Sequence, residues 1–341
     1  MAGQVTLSDV AREAGVSLAT ASRALNGSAN RTVGAQLRER VQAAALRLRY
    51  TPDGIAQAMA RGRTTSLGLV VHDIADPYFS AIAAGVAEAA DEAGLTVTLA
   101  STRQDPLREI EIVELMVRQR ARAVVLAGAR LGDDATDAAL RAALDAFRSG
   151  GGSVSVVGQA VLGADAVVVG NRAGAADLVR VLHEQGYRRF AVLAGPARHA
   201  AAADRLSGVL EAVAELGCPV PRQAVGDLTR DGGYAAMRAL LADRGDAEVV
   251  LAANDAMAVG ALAAARDAGL SVPGDLALAG FDDLETLRDV TPSLTTVRLP
   301  LTAIGAAATH LTLQPPAAEP VLVRVSGEVV LRASTPGPAG R

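Results

Sequence analysis

From residue 66 onward, short apolar runs alternate with longer amphipathic stretches, and this alternation narrows the fold more than any other feature of the 341-residue chain. Runs at 66–71, 95–100, 123–127 and 154–157 read as strands, with helical spacing near 79–93, 106–119 and 134–148 between them. A second series follows, with strands at 166–169, 190–194, 248–252 and 276–279 and helices near 172–184, 203–216, 232–242 and 255–268. Strand–helix alternation specifies parallel, doubly wound sheets, and two series specify two lobes. Such sheets hold ligands beyond the carboxyl ends of their strands. Asp73, Tyr78, Phe79, Asn254 and Asp282 all follow strands closely and are candidate cleft residues. For Tyr78 and Phe79 the alternative is packing, and for Asp282 a helix cap.

The first 63 residues differ in charge. They hold nine arginines against four acids, a balance of +5, whereas the rest holds 24 arginines against 33 acids, a balance of −9. A basic head on an acidic body points to a nucleic-acid-binding module joined to something else. Thr6 and Asp9 form a capping box for a helix over 7–14, and Gly15 supplies the turn. Ser17 caps a second helix near 18–25, ended by Asn26-Gly27, and Thr32 caps a third near 33–48. Two short helices joined by a glycine turn make a helix-turn-helix. Thr51-Pro52 starts a further helix too short to be stable alone.

VTLSDVAREAGVSLATASRALNG at 5–27 and RYTPDGIAQAMARGRTTSLGLVV at 49–71 closely resemble the lactose/galactose repressor family of bacterial transcription factors. DPYF at 76–79, LAGP at 193–196, ANDAMAVGAL at 253–262, GFDD at 280–283, PSLTTV at 292–297 and VLRAST at 330–335 follow in that family's order, so the resemblance spans nearly the whole chain. It implies an α/β protein: a three-helix helix-turn-helix head over 1–50, a hinge over 51–64, and a two-lobed, periplasmic-binding-protein-like effector-binding and dimerisation body over 65–341. Lobe 1 would comprise about 65–161 and 295–319, and lobe 2 about 162–294 and 320–335, with 294–298 a crossover strand returning to the first lobe. The resemblance also implies that the second helix enters the major groove of a pseudo-palindromic operator in double-stranded DNA. Arg23 would then read guanine, and Leu18 and Ala19 would meet thymine methyls, although plain packing is the alternative for Leu18. Thr6, Ser17, Thr20, Ser22 and Asn26 would hold phosphates. In the hinge, Met59, with Ile55 and Ala56 on the same side, would wedge into the minor groove, the alternative being a passive tether. The implied product is a homodimeric, effector-controlled repressor in the bacterial cytoplasm, associated with the nucleoid.

In the cleft, the resemblance implies an arginine two residues before Arg205, where this chain has Ala203. An acid is missing at Gly158-Gln159, and an aromatic at Leu228, so Arg198 and His199 become candidate substitutes. The effector is expected to be a sugar or related metabolite, with a nucleobase-like co-repressor as the alternative. Enzyme chemistry finds no support: there is no G-x-G-x-x-G after the first strand, no Walker loop and no G-x-S-x-G. The four histidines lack metal-binding spacing, and Cys218 is alone, so neither cofactor, metal nor intrachain disulfide is expected. No signal peptide is legible, and no apolar run reaches the ~18 residues that span a bilayer, which opposes both a membrane protein and an exported solute-binding protein. The terminal STPGPAGR carries no heptads, so a dimer and not a tetramer is expected.

Overall fold

Thr6 starts the first helix. In this computed structural model, which describes residues 5–26, 33–50, 63–131, 134–243 and 245–338, its hydroxyl accepts from the Asp9 backbone N–H while the Asp9 carboxylate accepts from Thr6 N at 3.0 Å. That box fixes α1 (Leu7–Glu13). Gly15, at φ +61°, turns the chain into α2 (Leu18–Asn26), whose first turn is held by Ser17 Oγ accepting from Thr20 N. α3 (Ala35–Arg47) begins at Gly34 without a side-chain cap, and the expected cap, Thr32, lies outside the described residues. The head's core is built from small side chains, among them Val10, Ala14, Ala21, Ala24, Val41 and Ala44, which lets three short helices approach closely. Arg47 donates to Glu13 at 3.2 Å and ties α3 to α1. The chain divides after Thr65 into this unit and the body. The expected hinge helix, with Ile55, Ala56 and Met59, lies outside the described residues.

The body is doubly wound. Among the described residues, its first sheet runs β2 (Thr96–Ser101), β1 (Ser66–Val71), β3 (Ala123–Ala127), β4 (Ser153–Gly158), β5 (Asp165–Val169) and β11 (Leu322–Val325), all parallel. The strand period of two sends Leu67, Leu69 and Val71 into one apolar layer and Val70 into the other. Helices cover both faces, so the central strands read as unbroken apolar runs. α4 (Pro77–Glu92) and α11 (Leu301–Leu313) pack as a pair on one side, and α5 (Pro106–Arg118) with α6 (Asp134–Ser149) on the other. The second sheet runs β7 (Arg222–Val225), β6 (Phe190–Ala194), β8 (Val249–Ala252) and β9 (Ala277–Ala279), with α7 (Asn171–Glu184), α8 (Ala200–Glu215), α9 (Arg230–Ala242) and α10 (Asp255–Asp267) around it.

The lobe boundaries differ from the expected ones. The strand at 166–169, expected to open lobe 2, pairs with β4 in the first sheet, and the segment near 321–324 pairs with it there as β11. Residues 294–298 do not return to lobe 1 as a strand: Thr295 bridges to Ala279 beside β9, while β10 (Thr296–Arg298) forms an antiparallel ribbon with β12 (Glu328–Val330). Chain order alone suggested one lobe after the other, but strand pairing depends on backbone hydrogen bonds between distant segments. β7 was not expected at all, because its four residues lie on the sheet edge and carry no apolar run.

Glycines allow the tightest helix contacts. A Cβ on Gly85 of α4 would stand 1.9 Å from the Thr302 carbonyl oxygen of α11, and one on Gly305 of α11 would stand 2.1 Å from the Ile82 carbonyl oxygen of α4. The two backbones therefore touch, with no side chain able to yield. Gly85→Ala should lose at least about 1 kcal/mol of stability in denaturant unfolding, even though alanine gains about that much in helix propensity.

Candidate functional site

On the head, α2 presents one surface. Leu18 and Ala19 are exposed, Leu18 at 51 %, and this removes the packing reading of Leu18. Ser22 and Arg23 stand one turn further along the same helical face and are half-buried. Arg23 Nε donates to the Ala19 carbonyl at 2.9 Å. The Thr20 and Ser17 hydroxyls pair at 2.8 Å, and the Thr6 hydroxyl donates to Asp9 at 2.7 Å. Asn26 ends the helix.

The body's cleft follows from topology. β1 lies between β2 and β3, and β6 between β7 and β8, so the connections leaving each central strand pair diverge and open a crevice at the strands' carboxyl ends. The residues after β1, β6 and β8 line a single cavity of about 290 Å³. Of the expected residues, the structure brings Asp73, Tyr78, Phe79, His199, Asn254 and Asp282 to this cavity. Arg198 is exposed and lies outside the cavity wall. It lies within the turn closed by the bond from His199 N to the Pro196 carbonyl.

Several of these residues also serve the fold. Asn254 caps α10: its Oδ1 accepts from Met257 N at 2.9 Å, and its Nδ2 donates to the Leu228 carbonyl at 3.1 Å. His199 caps α8 through Nδ1. Asp73 accepts from Ala75 N, and Asp76 caps α4. Phe79 is largely core, with its ring tilted against His72 at 5.7 Å and edge-on to Tyr78 at 5.0 Å. The Tyr78 hydroxyl has no hydrogen-bond partner among the described residues, and burial, then the nearby Asp282 carboxylate, raises its pKa.

The centre of the site is a residue the sequence reading passed over. It placed the missing arginine at Ala203, but Arg205 itself lines the cavity. Nε donates to Asn171 Oδ1 at 2.8 Å, one terminal nitrogen to the Ala253 carbonyl at 2.7 Å, and the other to Asp282 Oδ1 at 2.8 Å. The guanidinium also lies 3.9 Å over the Phe281 ring. A signal was present: Ala202, Arg205, Val209, Ala212 and Val213 share the buried face of α8, and an arginine at a core position has been put there for its charge. Asp282 is 3 % exposed and sits at φ +122°, where an L-residue is strained. It is not a helix cap. Burial pushes its pKa upward, while the Arg205 guanidinium bonded to it opposes the rise and favours the carboxylate; the Asp255 and Asp76 carboxylates add to the upward push.

His72, the residue immediately after β1, was also missed. It faces His199 across the cleft at 6.2 Å between ring centroids, one ring from each lobe. Burial lowers both pKa values to about 4, with Arg130 adding to the effect at His72 and His72 itself at His199. Both rings are neutral at pH 7, and a neutral imidazole both donates and accepts. Among the described residues, no group of three His, Cys, Asp or Glu is placed to hold a metal, and no helix is long and apolar enough to cross a membrane.

Residues 6–53 match the model of bacterial regulatory proteins of the lacI family, and residues 179–335 that of a periplasmic binding protein-like domain. The HTH-type transcriptional regulator GalS of Salmonella typhimurium is 35 % identical over 314 residues, covering 91 % of this chain and 89 % of that protein. The lac repressor dimer bound to operator and the anti-inducer ONPF superposes with a TM-score of 0.85 at 27 % identity, over 98 % of this chain and 99 % of that one. A complex of the transcriptional regulator CelR with cellobiose gives 0.71 at 31 % identity, over 97 % and 99 %.

The histidine pKa values set a pH dependence. The folded body holds His72 neutral down to about pH 4, whereas the unfolded chain takes up that proton near 6.5. The stability His72 contributes is therefore complete above pH 6.5 and is lost as pH falls toward 4, by on the order of 3 kcal/mol. Denaturant unfolding of His72→Gln against the wild type at pH 7 and pH 4 should show a smaller acid loss in the variant.

Proposed function

The chain belongs to the lacI family of bacterial regulatory proteins, and from that premise we propose that it is a homodimeric repressor whose operator affinity is set by a sugar or related metabolite bound between the lobes. The observation that carries the reading is the Arg205–Asp282 pair in the cleft: one Asp282 oxygen is held by Arg205, while the cavity also presents Tyr78, His72 and His199 as neutral donors and acceptors. Such a set suits vicinal hydroxyls. The relatives named above include one complexed with cellobiose.

On the DNA side, Arg23 reads a guanine, Leu18 and Ala19 contact thymine methyls, and Thr6, Ser17, Thr20, Ser22 and Asn26 position the head on phosphates. Ile55, Ala56 and Met59 enter the minor groove. Two heads on one dimer read a pseudo-palindrome. Control follows from geometry: the cleft is walled by both lobes, and a ligand that touches both favours one arrangement of them over the other.

Two variants test the halves separately, both read by fluorescence anisotropy on operator and scrambled duplex at fixed salt. Arg23→Ala should weaken operator binding by ~1–3 kcal/mol and leave the scrambled duplex nearly unaffected. Asp282→Asn, which keeps an acceptor for buried Arg205, should raise the effector concentration needed to shift operator affinity by about tenfold or more, with ligand-free operator binding unchanged. Equal loss on both duplexes in the first case, or an unaltered effector response in the second, removes the corresponding residue from its role.

A further inference from the structure

A recess opens beneath His72 on the lobe-1 wall of the cleft. Thr102, Gln104, Glu109, Arg130 and Asp137 line it with His72, and its volume of about 10 Å³ suits one water-sized group. His72 and Gln104 also line the main cavity, so the two spaces share a wall.

Arg130, only 6 % exposed, is the one arginine lining the recess among the described residues. Its terminal nitrogens donate to the two Glu109 oxygens at 2.8 and 2.7 Å, and one of them lies 3.5 Å from Asp137. Its Nε–H is buried and has no acceptor among the described residues. A buried donor on a charged group without an acceptor is costly, and it marks a place where a partner belongs. The charge of that partner follows from its neighbours. One guanidinium already faces two carboxylates, so a further anion would meet net negative charge, whereas a hydroxyl or ether oxygen would not.

The same residue joins the lobes. The Arg130 carbonyl accepts from Ala200 N, the first residue of α8 in lobe 2, at 2.9 Å, and Arg130 N donates to Gln159 Oε1 at 3.2 Å.

We propose that this recess is a subsite of the effector cleft, in which Arg130 Nε–H donates to an uncharged oxygen of the ligand, directly or through one water. The proposal rests on the cleft being the effector site. It defines the ligand as neutral and polyhydroxylated, with one oxygen-bearing arm reaching past His72 into lobe 1, and it excludes a phosphate ester or carboxylate on that arm. Because lobe 2 bonds to the carbonyl of the same residue, filling the recess also steadies this contact between the lobes.

The experiment measures operator release by fluorescence anisotropy with D-ribose, D-galactose and cellobiose, then with the monodeoxy and phosphorylated derivatives of the sugar that acts. Arg130→Lys keeps a cation for Glu109 and deletes the Nε–H. One monodeoxy derivative should be about tenfold or more weaker than its parent on the wild type and equal to its parent on Arg130→Lys. A merely structural arginine would weaken all derivatives alike. If Arg130→Lys does not fold, a wild-type co-crystal decides: a sugar oxygen, or a water bonded to the sugar, should lie within hydrogen-bond distance of Nε. Discrimination unchanged in the variant, a recess the sugar does not reach, or tight binding of a derivative phosphorylated on that arm overturns the subsite alone. No response to any of the three sugars overturns the sugar reading and the subsite with it.

Discussion

A single buried arginine organises the body's cleft. A guanidinium cannot give up its proton in a protein, so placing Arg205 out of water obliges the surrounding chain to supply acceptors. Asn171 at the start of α7, the carbonyl after β8 and Asp282 after β9 each provide one, and Phe281 covers the face. Four separate chain segments are thereby brought to one point. Asp282 reaches it only by adopting a left-handed backbone, and its strain is held by the bonds from Asp282 N to Val297 O and from Leu299 N to Asp282 O. Removing one member of such a set without an acceptor in its place leaves a buried charge unmatched.

The next residue does comparable work where the chain passes between the sheets. Asp283, also at positive φ, accepts from Arg298 on β10 at 2.7 Å and from Arg332, just beyond β12, at 2.5 Å. Hydrogen bonds from both guanidinium groups lower its pKa despite partial burial. The two strands that carry the chain between lobes are therefore pinned to the loop that carries Asp282. Within each lobe, backbone-to-backbone helix contacts such as Gly85 against Thr302 leave little room for internal adjustment. Rigid lobes joined by a few strands can shift mainly as bodies.

Local signals read well from the residues alone. The capping box at Thr6 and Asp9 and the glycine turn of the head both depend on neighbours within four positions, and each is present as expected. The candidate residues that directly follow strands, Asp73, Asn254 and Asp282, reach the cleft because strand ends in a doubly wound sheet point to one side. Arg198 failed the same logic, since it lies in a loop whose direction no periodicity encodes.

The amino-acid sequence by itself determined most of the body's helices and apolar strands, the division into a basic head and an acidic α/β body, and the family to which the chain belongs, because these rest on spacing, composition and the order of motifs. Only the tertiary structure decided that β5 and β11 complete the first sheet, that Thr295 extends the second, that Arg205 and not position 203 anchors the cleft, and that His72 meets His199 across it. Each of those facts joins residues far apart in the chain. Their pairing is set by backbone hydrogen bonding and by the need to neutralise buried charge, and neither leaves a periodic mark in the sequence.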